Sequence, residues 1–331
     1  MTKRKKSFLT FCAVMLSLVI AVTSFIAMAE GTGHSFQSVF TECVFRVLMI
    51  SKRDRQRSYS IEALERTHLK KNRDYKVSKA IIDIFRLDKY EIDGFEVLVF
   101  NEDAQSGKYI FYLHGGAFTE QPLIFHYGFL DQLARETDST VIMPVYPKAP
   151  TYTYQTTIQM VVNTYIDMLS RINSNDIFIM GDSAGAAMAI SVCQYLAQND
   201  ILMPKEMIIF SPCVDGTLKN PDIALYEDRD LMLAKNILEV KILSYAGSEE
   251  NLTDYLVSPI YGPLDCLPPT AIFVGSEEIL LPDIRLFVEK AKEQGADITC
   301  FEYRDMQHVF PLYPTPEGKE TRKFVQEILL K

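Results

Sequence analysis

From about residue 90 onward, short apolar runs alternate with longer stretches of helical spacing. FEVLVF (95–100), KYIFYL (108–113), TVIMPVY (140–146), DIFIM (176–180), MIIF (207–210), TAIFVG (270–275) and ITCFEY (298–303) are rich in β-branched and aromatic residues and predict seven strands. Helices are predicted near 155–172, 184–198, 283–294 and 316–330. Apolar strands separated by helices need cover on both faces, which predicts a mainly parallel sheet between two helical layers. Residues 217–255 break the alternation with a helical, mixed polar and apolar text, and read as an insertion between the strands at 207–210 and 270–275. Residues 35–90 are also helix-like and charged, with Phe36, Val39, Phe40, Cys43, Val44 and Val47 at helical spacing. A basic run at Lys52, Arg53, Arg55 and Arg57 reads as a solvated helix face. No Pro/Gly/Ser-rich linker divides the body, so residues 30–331 are expected to form one α/β domain. Its two helical additions, about 35–90 and 217–255, are expected to form a cap.

The first 29 residues follow a different pattern. Lys3, Arg4, Lys5 and Lys6 precede an uncharged stretch from Phe8 to Ala29 that closes on Ala27-Met28-Ala29. A basic head, an apolar run and an A-x-A site describe an export signal. The run is also long enough to span a bilayer, so an uncleaved membrane anchor is the other expectation. Either one leaves the basic end inside and exports the rest, which is then secreted or held at the outer face of the membrane. The formal net charge of −9 becomes four units more negative without that basic head. Such an acidic body excludes a nucleic-acid footprint. Six cysteines, at 12, 43, 193, 213, 266 and 300, include no close pair. They do not describe a disulfide framework, although one or two bridges are compatible with export. No C-x-x-C or H-E-x-x-H supports a metal site.

Gly181-Asp182-Ser183-Ala184-Gly185 follows the strand at 176–180 and opens an Ala-rich helix. G-x-S-x-G in that context is a nucleophile elbow: a strained turn lifts the serine above the sheet and aims a helix N-terminus at it. Side chains at 181 and 185 are expected to clash. A tight turn with an idle serine is the bland reading. His114-Gly115-Gly116-Ala117-Phe118 comes straight after the strand at 108–113. Small residues there give a developing oxyanion access to backbone N–H groups, and Ala117 keeps its donor. His114 is expected to brace this loop and to transfer no proton. A serine nucleophile needs a base. Of the histidines at 34, 68, 114, 126 and 308, only His308 follows Ser183, in the loop MQHVF beyond the last strand. The orienting acid should end the preceding strand, at Gly275-Ser276-Glu277-Glu278. Glu278 is favoured, Glu277 and Asp283 are expected to be solvated, and Asp215 is an outside candidate.

HGGAF, YPKAP (146–150), GDSAG, SPI…LPPT (258–270), GSEEILLPD and MQHVF together resemble the hormone-sensitive-lipase-like branch of the α/β-hydrolases, from about residue 90 to the C-terminus. The resemblance implies an eight-stranded α/β-hydrolase sheet, a helical cap built partly from the N-terminal segment, and carboxylic-ester hydrolysis by a Ser-Asp/Glu-His triad without a cofactor. By position it makes Ser183 the nucleophile, Glu278 the acid and His308 the base. Oxyanion donors would be the backbone of Gly116, Ala117 and Ala184, with Gly115 shaping the loop and His114, Gly181, Asp182 and Gly185 supporting the motifs. Ala117 stands where the family commonly has glycine, and Glu278 where it often has aspartate. The expected function is hydrolysis of short- to medium-chain esters. Alternatives on the same triad are a lipase, a sugar or peptide deacetylase, or an amidase. A non-catalytic binding protein would be expected to lack the serine or the histidine, and a metallohydrolase lacks its ligand cluster.

Overall fold

A computed structural model describes residues 59–73 and 75–330. The expected export segment, the apolar stripe from Phe36 to Val47 and the basic run at 52–57 lie outside the described residues. Eight strands form one sheet: β1 (Asp88–Ile92), β2 (Phe95–Phe100), β3 (Tyr109–Leu113), β4 (Thr140–Pro144), β5 (Ile177–Asp182), β6 (Glu206–Phe210), β7 (Thr270–Gly275) and β8 (Ile298–Tyr303). Their order across the sheet is β1-β2-β4-β3-β5-β6-β7-β8. β2 runs antiparallel to both neighbours, and all other pairings are parallel.

The seven predicted strands are all present. β1 corrects the reading of residues 35–90 as helix throughout. Its residues Asp88, Lys89 and Glu91 are exposed, as befits a charged edge strand, and only Tyr90 and Ile92, half-buried against the core, carry the strand period. Asp93 and Gly94 both have left-handed φ, 51° and 81°, and turn the chain so that Tyr90 pairs Val97 and Ile92 pairs Phe95. That Asp-Gly pair was the available sequence signal for a hairpin.

Alternation along the strands divides the core in two. Val97, Phe111, Ile179, Ile209 and Ile272 face one side, where α4 (Tyr154–Leu169), α5 (Ala184–Gln198) and α7 (Leu281–Glu293) cover them. Leu98, Ile110, Phe178, Ile208 and Phe273 face the other, covered by α3 (Ile124–Glu136) and α8 (Pro316–Leu329). No helix was expected at α3. Its buried stripe of His126, Tyr127, Phe129, Leu130, Leu133 and Ala134 has helical spacing, but exposed Ile124 and Phe125 begin it and Gly128 interrupts it.

The remaining helices are α1 (Ile61–Arg73), α2 (Lys79–Phe85) and α6 (Lys235–Ala246). α1 packs on α6, bringing the two helical additions together. α2 instead joins the α3 face of the sheet, where Phe85 stacks on Tyr127 at 5.7 Å. Among the described residues no helix is long and apolar enough to cross a membrane. Cys193, Cys213, Cys266 and Cys300 are free thiols.

Candidate active site

The turn from β5 to α5 places Ser183 at φ 54° and ψ −119°, a conformation that residues with a side chain rarely adopt. The neighbours enforce it. A Cβ on Gly185 would stand 2.0 Å from the Leu113 carbonyl oxygen, and one on Gly181 would stand 2.7 Å from the same atom. Gly185→Ala is therefore expected to cost about 3 kcal/mol and to lower Tm by roughly 6–10 °C, measured by thermal unfolding. An unchanged Tm would mean that the elbow relaxes to admit the added methyl group.

Three of the predicted residues meet in one hydrogen-bonded chain. His308 Nε2 lies 2.9 Å from Ser183 Oγ, and His308 Nδ1 lies 2.6 Å from Glu278 Oε2. A carboxylate only accepts, so Nδ1 carries the proton and Nε2 presents its lone pair to the serine hydroxyl. Burial works against a charge on His308, but the carboxylates of Glu278, Asp230 and Asp182 outweigh it and hold its pKa above the ordinary histidine value. The other Glu278 oxygen accepts from the Gly275 N–H at 2.9 Å and from the Ser211 hydroxyl at 2.8 Å. Ser211 in turn accepts from the Val309 N–H at 3.1 Å, tying the acid turn to the histidine loop. The two loops also touch directly: a Cβ on Gly275 would fall 2.2 Å from the Met306 carbonyl oxygen.

The outside acids lie elsewhere. Asp215 accepts from the Thr217 N–H and from the Tyr261 hydroxyl. Asp283, expected to be solvated, is 2% exposed at the start of α7, and burial pushes its carboxyl up to about 6. Its position on the inner side of an amphipathic helix overrides its polarity. Glu277, also expected to be solvated, is paired by Arg229 through both carboxylate oxygens.

The HGGAF loop carries left-handed φ at Gly116 (123°), Ala117 (50°) and Phe118 (62°). The Gly115 N–H donates to Asp182 Oδ1 at 2.9 Å, so Gly115 is spoken for and shapes the loop. Among the described residues no partner takes the N–H of Gly116, Ala117 or Ala184. His114 is fully buried, donates from Nδ1 to its neighbour Gly115's carbonyl at 2.6 Å, and stacks on Tyr146 at 4.4 Å. Burial drives its pKa well down, which keeps it neutral. Asp182 does more than spacing suggested. It also accepts from the Tyr112 hydroxyl at 2.8 Å and from His126 Nε2 at 3.3 Å. His126 Nδ1 accepts the Leu123 N–H, so Nε2 is its donor. Burial would raise the Asp182 carboxyl, but His126, Tyr112 and the Gly115 N–H hold it below its usual value. Elbow and HGGAF loop are thus locked to each other by one buried carboxylate.

Glu120, just after the loop, gathers both helical additions. It accepts from His68 at 2.7 Å and Lys71 at 3.1 Å of α1, and from Lys241 of α6 at 2.8 Å. Phe118 stacks on Tyr245 of α6 at 4.0 Å. Ser211, His126, Tyr112, Asp230 and Glu120 were not singled out in the sequence. Only the fold brings them to these positions, and no motif spacing marks them.

Comparison with known proteins gives the family. A family model described as alpha/beta hydrolase fold matches residues 110–312. An esterase of Acinetobacter venetianus is 34% identical over 227 residues, covering 68% of this chain and 75% of that protein. An acetyl-hydrolase of Streptomyces hygroscopicus is 28% identical over 219 residues, covering 65% and 73%. The crystal structure of a putative esterase from Staphylococcus aureus superposes with a TM-score of 0.77 at 29% identity, covering 83% of this chain and 94% of that one. The chain belongs to the α/β-hydrolase fold family. It is a carboxylic ester hydrolase.

Proposed function

We propose that the chain is a serine carboxylesterase for short- to medium-chain esters, with Ser183 as nucleophile, His308 as base and Glu278 as orienting acid. The observation that carries this reading is the unbroken hydrogen-bonded chain Ser183–His308–Glu278 beside the unclaimed N–H groups of Gly116, Ala117 and Ala184. His308 Nε2 takes the serine proton as Oγ attacks the ester carbonyl. The three N–H groups, with the N-terminus of α5 behind Ala184, hold the oxyanion. His308 then protonates the leaving alcohol, and the same residue activates water to release the acid. α1 and α6, joined through Glu120, form the described part of a cap over this site.

Short acyl groups are favoured by the likeness to a protein named an acetyl-hydrolase. The test is a p-nitrophenyl ester series from C2 to C16 with the full chain. Turnover is expected to be highest at the short end. A maximum at the long end would make it a lipase, and turnover only of amides or acetylated sugars would move it to those substrates. Residues 8–29, behind their basic head, are proposed to export or anchor the enzyme. Immunoblots of cell, membrane and medium fractions test this, and a full-length protein confined to the cytosol would overturn it.

A further inference from the structure

Glu278 and His308 sit on separate turns, after β7 and after β8, and each must be held to a fraction of an ångström. One short segment between β6 and α6 grips both. Glu277, just before Glu278, is paired by Arg229 at 2.8 Å. The N–H of Ile279, just after Glu278, donates to Asp230 Oδ2 at 3.0 Å. Gln307, just before His308, accepts the Leu231 N–H at 2.9 Å and donates to the Arg229 carbonyl at 3.2 Å. The segment is itself folded around Asp230, whose Oδ1 accepts the Met232 and Leu233 N–H groups at 2.8 and 2.7 Å.

We infer that Arg229–Leu233 is a strap that sets the distance between the acid and the base, and that Asp230 is its positioning residue and a second buried negative charge for His308. Asp230 is 1% exposed; burial raises its carboxyl above the usual value, while His308 and the three N–H groups it accepts from, those of Met232, Leu233 and Ile279, favour its charged form. The carboxylates that act on His308 come from three elements: Glu278 from the turn after β7, Asp182 from the end of β5, and Asp230 from the strap. Arg229, the neighbouring cation, is neutralised by Glu277. Asp230 touches neither Ser183 nor the oxyanion donors, so it acts through the acid and the base. It stabilises the imidazolium that forms when the serine gives up its proton. The inference rests on the proposed roles of Ser183, Glu278 and His308.

The test compares Asp230→Asn, Asp230→Glu and Gln307→Ala in the full chain, on a short p-nitrophenyl ester across pH, with near-ultraviolet circular dichroism to show that each is folded. Asp230→Asn removes the charge and is expected to lower kcat on the order of 10- to 100-fold with little change in KM, and to move the acid limb of kcat/KM to lower pH. Asp230→Glu keeps the charge, so its limb should stay near that of the unaltered enzyme. Gln307→Ala loosens the grip on the histidine loop and should lower kcat while leaving the limb in place. A folded Asp230→Asn enzyme with unaltered kcat and limb overturns the inference. Should that variant fail to fold, an unaltered kcat in Gln307→Ala, or a limb displaced in Asp230→Glu, does so instead. Ser183→Ala run alongside separates the two levels: persistent activity there sinks the triad reading, whereas a dead Ser183→Ala beside an unaffected strap sinks only this one.

Discussion

Ser183→Ala is expected to reduce kcat by on the order of 10³- to 10⁶-fold while leaving the fold and substrate binding nearly unchanged. The side chain lost is small, half-buried and bonded only through its hydroxyl to His308, so no core contact goes with it. The backbone that makes the elbow is held by other means. The Ser183 N–H donates to the Phe210 carbonyl at 2.8 Å, and its carbonyl accepts from Ala187 and Cys213. What remains is a site that binds an ester and offers N–H groups to its carbonyl but has nothing to attack it with. The residual rate then measures the oxyanion donors alone. The measurement is steady-state turnover of p-nitrophenyl acetate together with the pre-steady-state burst, which reports the acyl-enzyme. A burst surviving in the variant would mean that another group carries the acyl chain.

Glu278→Gln is expected to cost about 10³- to 10⁴-fold in kcat, because an amide at this position can turn its NH₂ toward His308 Nδ1 and so favour the tautomer that is protonated on Nε2. Such a ring cannot accept the serine proton. The pH dependence gives an independent readout. The pKa of His308 is raised above the ordinary histidine value of about 6.5, and its proposed role as base needs the neutral ring, so the acid limb of kcat/KM should lie above that value and fall in the variant. Stability moves in the opposite sense. A group whose pKa is raised on folding contributes fully below its unfolded value, and that contribution fades as pH rises through the folded one. The Tm gap between the unaltered protein and Glu278→Gln should therefore be wider at pH 6 than at pH 9. A gap independent of pH would mean that the His308–Glu278 pair is not ionic in the folded enzyme.

The strands, the elbow and the identities of the nucleophile, base and acid candidates were legible along the chain because each rests on near neighbours. β-branched runs buried on both faces make strands wherever they fall. Two glycines four apart around Ser183 are required by a clash with one carbonyl, and that requirement is written into five consecutive residues. His308 could be chosen by order alone, since the other four histidines precede the serine. In the charged edge strand β1 the reading failed, because its alternation rests on only two half-buried apolar residues, Tyr90 and Ile92, among three exposed charged ones.

Tertiary structure decided what surrounds those residues. The distinction between Glu278 and its neighbour Glu277 is one of direction: one carboxylate turns inward to His308 and the other outward to Arg229. Asp283 and Asp215 were excluded by where α7 and the turn after β6 place them. The supports of the site span long stretches of chain, from His126 to Asp182, Ser211 to Glu278 and Asp230 to Ile279. A buried carboxylate or hydroxyl takes whatever donor the fold brings within 3 Å, and burial makes an unmet bond costly, so the fold selects these partners without any pattern in the intervening sequence. The candidate residues were therefore visible as local motifs, while the precision of the site depends on contacts that exist only once the sheet has brought distant turns to the same edge.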